Sequence, residues 1–271
     1  MQDTRIGFIG AGNMASSIIG GLINRGHAAS LISASDLDTE KLGALAAKTG
    51  LSAANNETIA RTTDVIVLAV KPQVMSAVST ELAASLGDRR PLIVSIAAGI
   101  TLSALERWFG PDAALVRCMP NTPALVGSGA SGLFANAQVN AAQRSIADQL
   151  LGAVGLSVWV ETESDIDSVT ALSGSGPAYF FLMMEAMQES AVKLGLSSEL
   201  ARALTYQTAL GAAQLALASE QDTAQLRRNV TSPNGTTERA INHFEDGGLR
   251  QLVDGALHAA HARSVELAGE V

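Results

Sequence analysis

A chain with one cysteine cannot close an internal disulfide, and the spaced thiols of a structural metal site are missing with it. That residue, Cys118, lies in the apolar run ALVRCMP, which predicts a buried, inert thiol and not a nucleophile. A reducing cytosol is the compartment this cysteine usage implies. Positive charge is also scarce. Against 26 acidic residues stand 18 basic ones, a net charge of −8, which argues against a nucleic-acid or anionic-membrane surface. No uninterrupted run of about 18 apolar residues occurs, so no membrane span is expected. The start, MQDTRIGFIGAG, lacks a basic segment followed by an apolar one and a small-residue cleavage site, and is read as no signal peptide.

What the chain does have is apolar residues at 47% and charged residues at 16% over 271 positions, a globular composition with room for one large domain or two modest ones. Up to about Glu163, short apolar runs (RIGFIG, SLISAS, VIVLAV, LIVSIAA, ALVRCM, SVWVET) alternate with amphipathic stretches such as Asn13 to Asn24 and Asp38 to Thr49. That alternation predicts a doubly wound parallel sheet with helices on both faces. Beyond Glu163 the strand signal stops. Pro177 suits a first helical turn, Gly195 a helix stop, and Ser197 and Asp222 helix N-caps. Residues 1–163 are therefore expected to form the sheet domain and 164–271 an all-helical one. The small-residue faces of ALGAAQLALAS and ALHAAHA let helices approach closely, which suits a dimer of interlocking helical domains or a tightly packed bundle.

Gly10, Gly12 and Ala15 form G-x-G-x-x-A between the first predicted strand and helix. The first glycine permits a tight turn, the second admits a pyrophosphate against the backbone, and the alanine keeps helix and strand close. This is the dinucleotide fingerprint of a Rossmann-type domain. An NAD site usually ends its second strand with an acid for the ribose 2′-hydroxyl; here Ser33, Ala34 and Ser35 precede Asp36. Two serines can donate to a 2′-phosphate without repelling it, which favours NADPH, while Asp36 leaves NADH open. Two more strand ends are expected to line the same crevice: Val70, Lys71 and Pro72 in LAVKPQ, and Asn121 in CMPNTP.

Catalytic side chains are few. His243, His258, His261 and Lys193 sit in helical stretches and belong to no motif, Tyr179 and Tyr206 are read as packing residues, and no metal site is expected. A C=N bond needs less help than a C=O bond, because an imine nitrogen arrives protonated and the protein has mainly to orient it. Ser, Thr, Asn and backbone N–H groups suffice for that. They are concentrated in NVTSPNGTTERAINHF, where Ser232 to Thr237 interrupt the helical half with a loop suited to a small anion.

With GAGNMA, AVKP, MPNTP, LSGSGPAY and VTSPNGTT in order, the chain closely resembles the pyrroline-5-carboxylate reductase family over essentially its full length. The resemblance implies reduction of 1-pyrroline-5-carboxylate to L-proline, the last step of proline biosynthesis, by NADPH or NADH. It places the nucleotide on Gly10, Ala11, Gly12, Asn13 and Met14, with Ser33 near the adenosine ribose and Asn56, Val70, Lys71 and Ala97 continuing that surface. Glu163, Thr236 and Thr237 are implied to contact substrate, N–H groups around Gly235 and Thr236 to take its carboxylate, and Thr237 to face the ring nitrogen. Ser232 and Asn229 would shape the loop, Asn229 also reaching the nicotinamide end, and Glu220 matches a family carboxylate or is a helix-end charge. The family pattern further implies a cytoplasmic homodimer with swapped helical domains, often five such dimers in a ring. Asn234 stands where the family usually has glycine; Asn tolerates positive φ, so the turn is expected to survive.

Three alternatives stay open on residues alone. A β-hydroxyacid dehydrogenase would need a lysine on the first helix of the second half, and PAYFFLMMEAMQES has none. A catalytically silent NADP-binding regulator would not need both Thr236 and Thr237. A reductase of a related six-membered imino acid differs by one methylene, worth only about 1–3 kcal/mol in an apolar pocket.

Overall fold

The computed structural model describes residues 1 and 3–270. Eight strands form one sheet in the order β3-β2-β1-β4-β5-β6-β7-β8: β1 Ile6–Ile9, β2 Ile32–Ser35, β3 Ser52–Ala53, β4 Val65–Leu68, β5 Leu92–Ser95, β6 Ala114–Met119, β7 Gly129–Ala135 and β8 Gly155–Trp159. β1, β4 and β5 are buried at every position, because helices cover both faces of the sheet. Successive side chains of a strand point to opposite faces, so β4 sends Val65 and Val67 into one core and Ile66 and Leu68 into the other. The first core is closed by α1 (Asn13–Asn24), through Ile18, Ile19 and Leu22, and by α6 (Ala141–Gly152), with α2 (Thr39–Thr49) beside them. The second is closed by α3 (Asn56–Thr62), α4 (Pro72–Leu86) and α5 (Leu102–Phe109).

Helix boundaries follow local chemistry. Asp38 accepts from Lys41 N–H at 3.0 Å to start α2, and Gly50 ends it in the left-handed region at φ 80°. Asn140 and Gln143 form a reciprocal capping box on α6.

Two strands escape the sequence reading. β3 has two residues, and β7 is GASGLFA, with no β-branched residue. The small residues of β7 answer to packing: a Cβ on Gly132 would lie 2.7 Å from a methyl of Val169. β7 also runs antiparallel to β6, so the sheet is mostly parallel and not wholly so.

After a short helix α7 (Asp165–Val169) and a π-helical turn at Thr170–Gly174, helices α8 (Gly176–Lys193), α9 (Ser198–Ala218), α10 (Thr223–Asn229), α11 (Thr236–Asp246) and α12 (Leu249–Gly269) complete the chain. Pro177 lies in the first turn of α8, Gly195 follows it at φ 103°, and Ser197 and Asp222 cap α9 and α10, as their sequence positions predict. Two compact units result. One holds residues 1–177 with the chain from Ala260 onward, and the other holds Ala178–Ala259. In the second unit large apolar side chains stay open to solvent, among them Phe180, Phe181, Leu204, Leu210 and Leu215. Exposed apolar side chains in such numbers are characteristic of interaction surfaces.

Candidate active site

Strand order reverses between β1 and β4, so the crevice outside their carboxyl ends is the binding place this topology makes. Gly10 follows β1 at φ 97°, and a Cβ there would lie 2.7 Å from the carbonyl oxygen of Ala69; only glycine fits. Gly12 is the N-cap of α1, and the space a Cβ would take is open, with no atom within 4 Å. The tight turn, the open cradle and the helix N-terminus together fit a pyrophosphate. Asn13 and Met14 begin the helix, Val70 packs beside Gly10, exposed Lys71 is the N-cap of α4, Pro72 is its first residue, and Ala97 follows β5. These predicted residues do gather along one edge of the sheet.

Three others have surroundings that the sequence did not predict, and Glu220 lies at a helix end, one of its two readings. Ser33 is the second residue of β2, not its end, and its Oγ is enclosed within the fold without a hydrogen-bond partner. Register decides this: Ser35 holds the strand end, with its Oγ donating to Asn56 Oδ1 at 2.6 Å. Asn121, predicted to touch the cofactor, is 8% exposed; it donates to Ser173 O at 3.0 Å and accepts from Ala130 N–H at 2.8 Å. Its side chain ties β7 to the π-helical turn. Glu163, predicted to contact substrate, accepts through Oε1 from Leu102 N–H at 2.8 Å and from Arg117 at 3.0 Å. The carboxylate therefore secures the start of α5. Glu220 is exposed in the turn after α9, beside Gln221, whose amide oxygen accepts from Asn229 at 2.7 Å.

Asp36 has a task that its sequence position did not reveal. Oδ2 accepts from Ala11 N–H at 2.7 Å and Oδ1 from Asp38 N–H at 3.0 Å, so it holds the glycine loop against β2. Burial raises its pKa, but the Asp38 and Ala11 N–H groups, with Lys41 and Leu37, outweigh that and hold it below the usual carboxylate range.

In the second unit the loop is shorter than the sequence predicted: it runs from Ser232 to Gly235, and Thr236 and Thr237 are already the first turn of α11. Asn234 adopts φ 61°, the only non-glycine with positive φ among the described residues. Its N–H donates to Glu238 Oε2 at 2.8 Å, and Gly235 N–H donates to Ser232 O at 3.0 Å. Gly235 is the N-cap and supplies no side chain to the helix, so the N–H groups of Thr236 and Thr237 open α11 without one. Asn229 is held on both sides, accepting from Gln225 at 2.8 Å and donating to Gln221.

The family described as pyrroline-5-carboxylate reductase dimerisation matches residues 163–267, and NADP oxidoreductase coenzyme F420-dependent matches residues 5–99. The pyrroline-5-carboxylate reductase of Pseudomonas aeruginosa is 56% identical over 273 residues, spanning 100% of this chain and 99% of that protein. The chain belongs to the pyrroline-5-carboxylate reductase family. Among solved structures, the reductase from Coxiella burnetii is 47% identical with a TM-score of 0.95, covering 98% of this chain and 99% of that one. That of Plasmodium falciparum, with NADP bound, is 31% identical with a TM-score of 0.87 and 99% coverage of both chains. The N-terminal nucleotide-binding domain and C-terminal helical dimerisation domain are those of the reductase family, and the dimerisation match spans the helices whose apolar side chains are exposed. Among the described residues no helix is long and apolar enough to cross a membrane.

Proposed function

We propose that this chain reduces the C=N bond of 1-pyrroline-5-carboxylate to L-proline with NADPH, as a cytoplasmic homodimer with interlocked helical domains assembled further into a decamer. What carries the activity is full-length likeness to the reductases, joined to a loop built for a small carboxylate. Residues 1–163 are read as the nucleotide-binding domain and 164–271 as the substrate-binding and dimerisation domain.

Within that reading Gly235, expected to offer its N–H, already donates it to Ser232 O, and the N–H groups of Thr236 and Thr237 take the substrate carboxylate, because the first N–H groups of a helix have no acceptor inside it and lie at its positive end. Ser232 and Gly235 hold the loop through their shared hydrogen bond. The Thr237 hydroxyl faces the ring nitrogen as an orienting partner or a proton relay. Gly10, Ala11, Gly12, Asn13 and Met14 seat the dinucleotide, which supplies the hydride when bound. Ser35, Asn56, Val70, Lys71, Pro72 and Ala97 continue that surface. NADPH is preferred because the Asp36 carboxylate is committed to two backbone N–H groups and is not the free acid that binds a ribose 2′-hydroxyl.

Purified protein should consume NADPH, followed at 340 nm, when given 1-pyrroline-5-carboxylate. Thr237→Ala should lower kcat/KM for the imine by about 10²-fold, the low end for losing a proton-transfer group, and leave NADPH affinity near wild type. Equal loss of both would remove Thr237 from the imine side.

A further inference from the structure

Arg117 is a charged residue in the middle of an otherwise apolar strand, 3% exposed, and nothing in the reaction as described uses it. Its Nη1 donates to Glu163 Oε1 at 3.0 Å, and its Nη2 lies 3.5 Å from Asp167 Oδ1. Each carboxylate reaches a different segment. Glu163 accepts the N–H of Leu102, the first residue of α5, and Asp167 accepts the Ser264 hydroxyl near the end of α12 at 2.7 Å. One helical turn beyond Ser264, the Leu267 carbonyl oxygen lies 3.4 Å from where a Cβ on Gly99 would sit, and Gly99 has φ 77°. The loop between β5 and α5 is thus held at its far end by Glu163 and backed in its middle by Leu267. It contains Ala97.

We infer that Arg117 is a positioning residue for cofactor binding, acting through Glu163 and Asp167 to keep the Ile96–Thr101 loop in the shape that presents Ala97 to the nucleotide crevice. The inference rests on the placement of the cofactor proposed above. A planar guanidinium faces two carboxylates through two separate nitrogens in a rigid fork, whereas a lysine offers a single nitrogen on a flexible stem. Core stability alone does not call for such a group, since well-packed apolar residues replace buried ion pairs at no loss.

The test uses the full-length protein, with NADPH Kd measured by fluorescence titration, KM for both substrates, and Tm. Arg117→Met and Arg117→Lys should each raise the NADPH Kd by about tenfold and leave the imine KM within about twofold, the scale of effect seen for residues acting through a supporting shell. Glu163→Ala should match them. Glu163→Gln, which retains an acceptor oxygen for Leu102 N–H and for Arg117, should recover most of the affinity that Glu163→Ala loses. A fall in Tm with unchanged NADPH Kd would overturn the inference, as would an equal rise in the imine KM or a Glu163→Gln no better than Glu163→Ala. If the Arg117 variants do not fold, Ser264→Ala decides: the Kd should rise by about twofold, and no change overturns the proposal. Wild-type protein that fails to bind NADPH would instead strike the cofactor reading itself.

Discussion

Asp36 shows how one residue changes meaning once its partners are known. At the end of the second strand an acid reads as a ribose ligand, yet here both oxygens meet backbone N–H groups and the carboxylate orders the glycine loop. Asp36→Asn should therefore weaken NADPH and NADH alike, by about threefold to tenfold for one charge-assisted hydrogen bond, in parallel titrations. A change in their ratio would restore the ribose role. Because its folded-state pKa is depressed, the Asp36 contribution to stability is present above the ordinary carboxylate range and lost as pH falls through the lowered value. The Tm gap between wild type and Asp36→Asn should accordingly close below about pH 4. Ser33 teaches the complementary lesson. Its identity was legible, but a two-residue difference in strand register separates an enclosed hydroxyl from one at the crevice. Asn234 was legible outright, because few residues other than glycine adopt its φ of 61°.

Among the elements, strands with continuous β-branched and leucine runs announced themselves, while β7 did not. Its glycines and alanines are selected by what lies against them: the Val169 side chain over Gly132, and Ala124 with the Val154 carbonyl over Gly129. Gly132→Val should destabilise the protein by about 1–3 kcal/mol in urea unfolding, the usual cost of forcing volume into a close-packed site. An unchanged midpoint would mean that the sheet gives way there. In the helical unit, α10, α11 and α12 meet at Glu245, which accepts from Arg227 and Arg250 at 2.8 Å. Hydrogen bonds from Arg250 first, then Arg227, hold its pKa down at about 2. Folded-state depression means the contribution is intact above about pH 4.5 and lost as pH falls toward about 2. Glu245→Gln should lower Tm at pH 7 and lose that effect in acid or in about 1 M salt, because the pair is exposed and screened. A gap that persists in salt would point to packing instead.

For the whole molecule, the second unit leaves many large apolar side chains open to solvent, as interaction surfaces do. In α9 only Ala201 and Thr205 are buried among the described residues, while Leu210 and Leu215 are more than half exposed. Leu210→Glu should shift the protein to a smaller species in size-exclusion chromatography with light scattering, and lower Tm with it. Retention of the wild-type mass would place the interface on another face.

Sequence by itself determined the alternation of strand and helix, the glycine turn, the helix caps and a loop starting at Ser232, because each depends on neighbours within a few residues; the loop ends at Gly235, two residues earlier than expected. Arg117 was visible as a charge inside an apolar run, but its partners lie 46, 50 and 147 positions away in Glu163, Asp167 and, through Asp167, Ser264. Only the tertiary structure could bring them together. The same holds for Asp36 on Ala11, Asn121 between Ser173 and Ala130, and the reversed direction of β7. Local patterns record what a segment can form; which polar groups meet is decided when the sheet closes its two cores and most buried donors and acceptors find partners there, the Ser33 hydroxyl being one that does not.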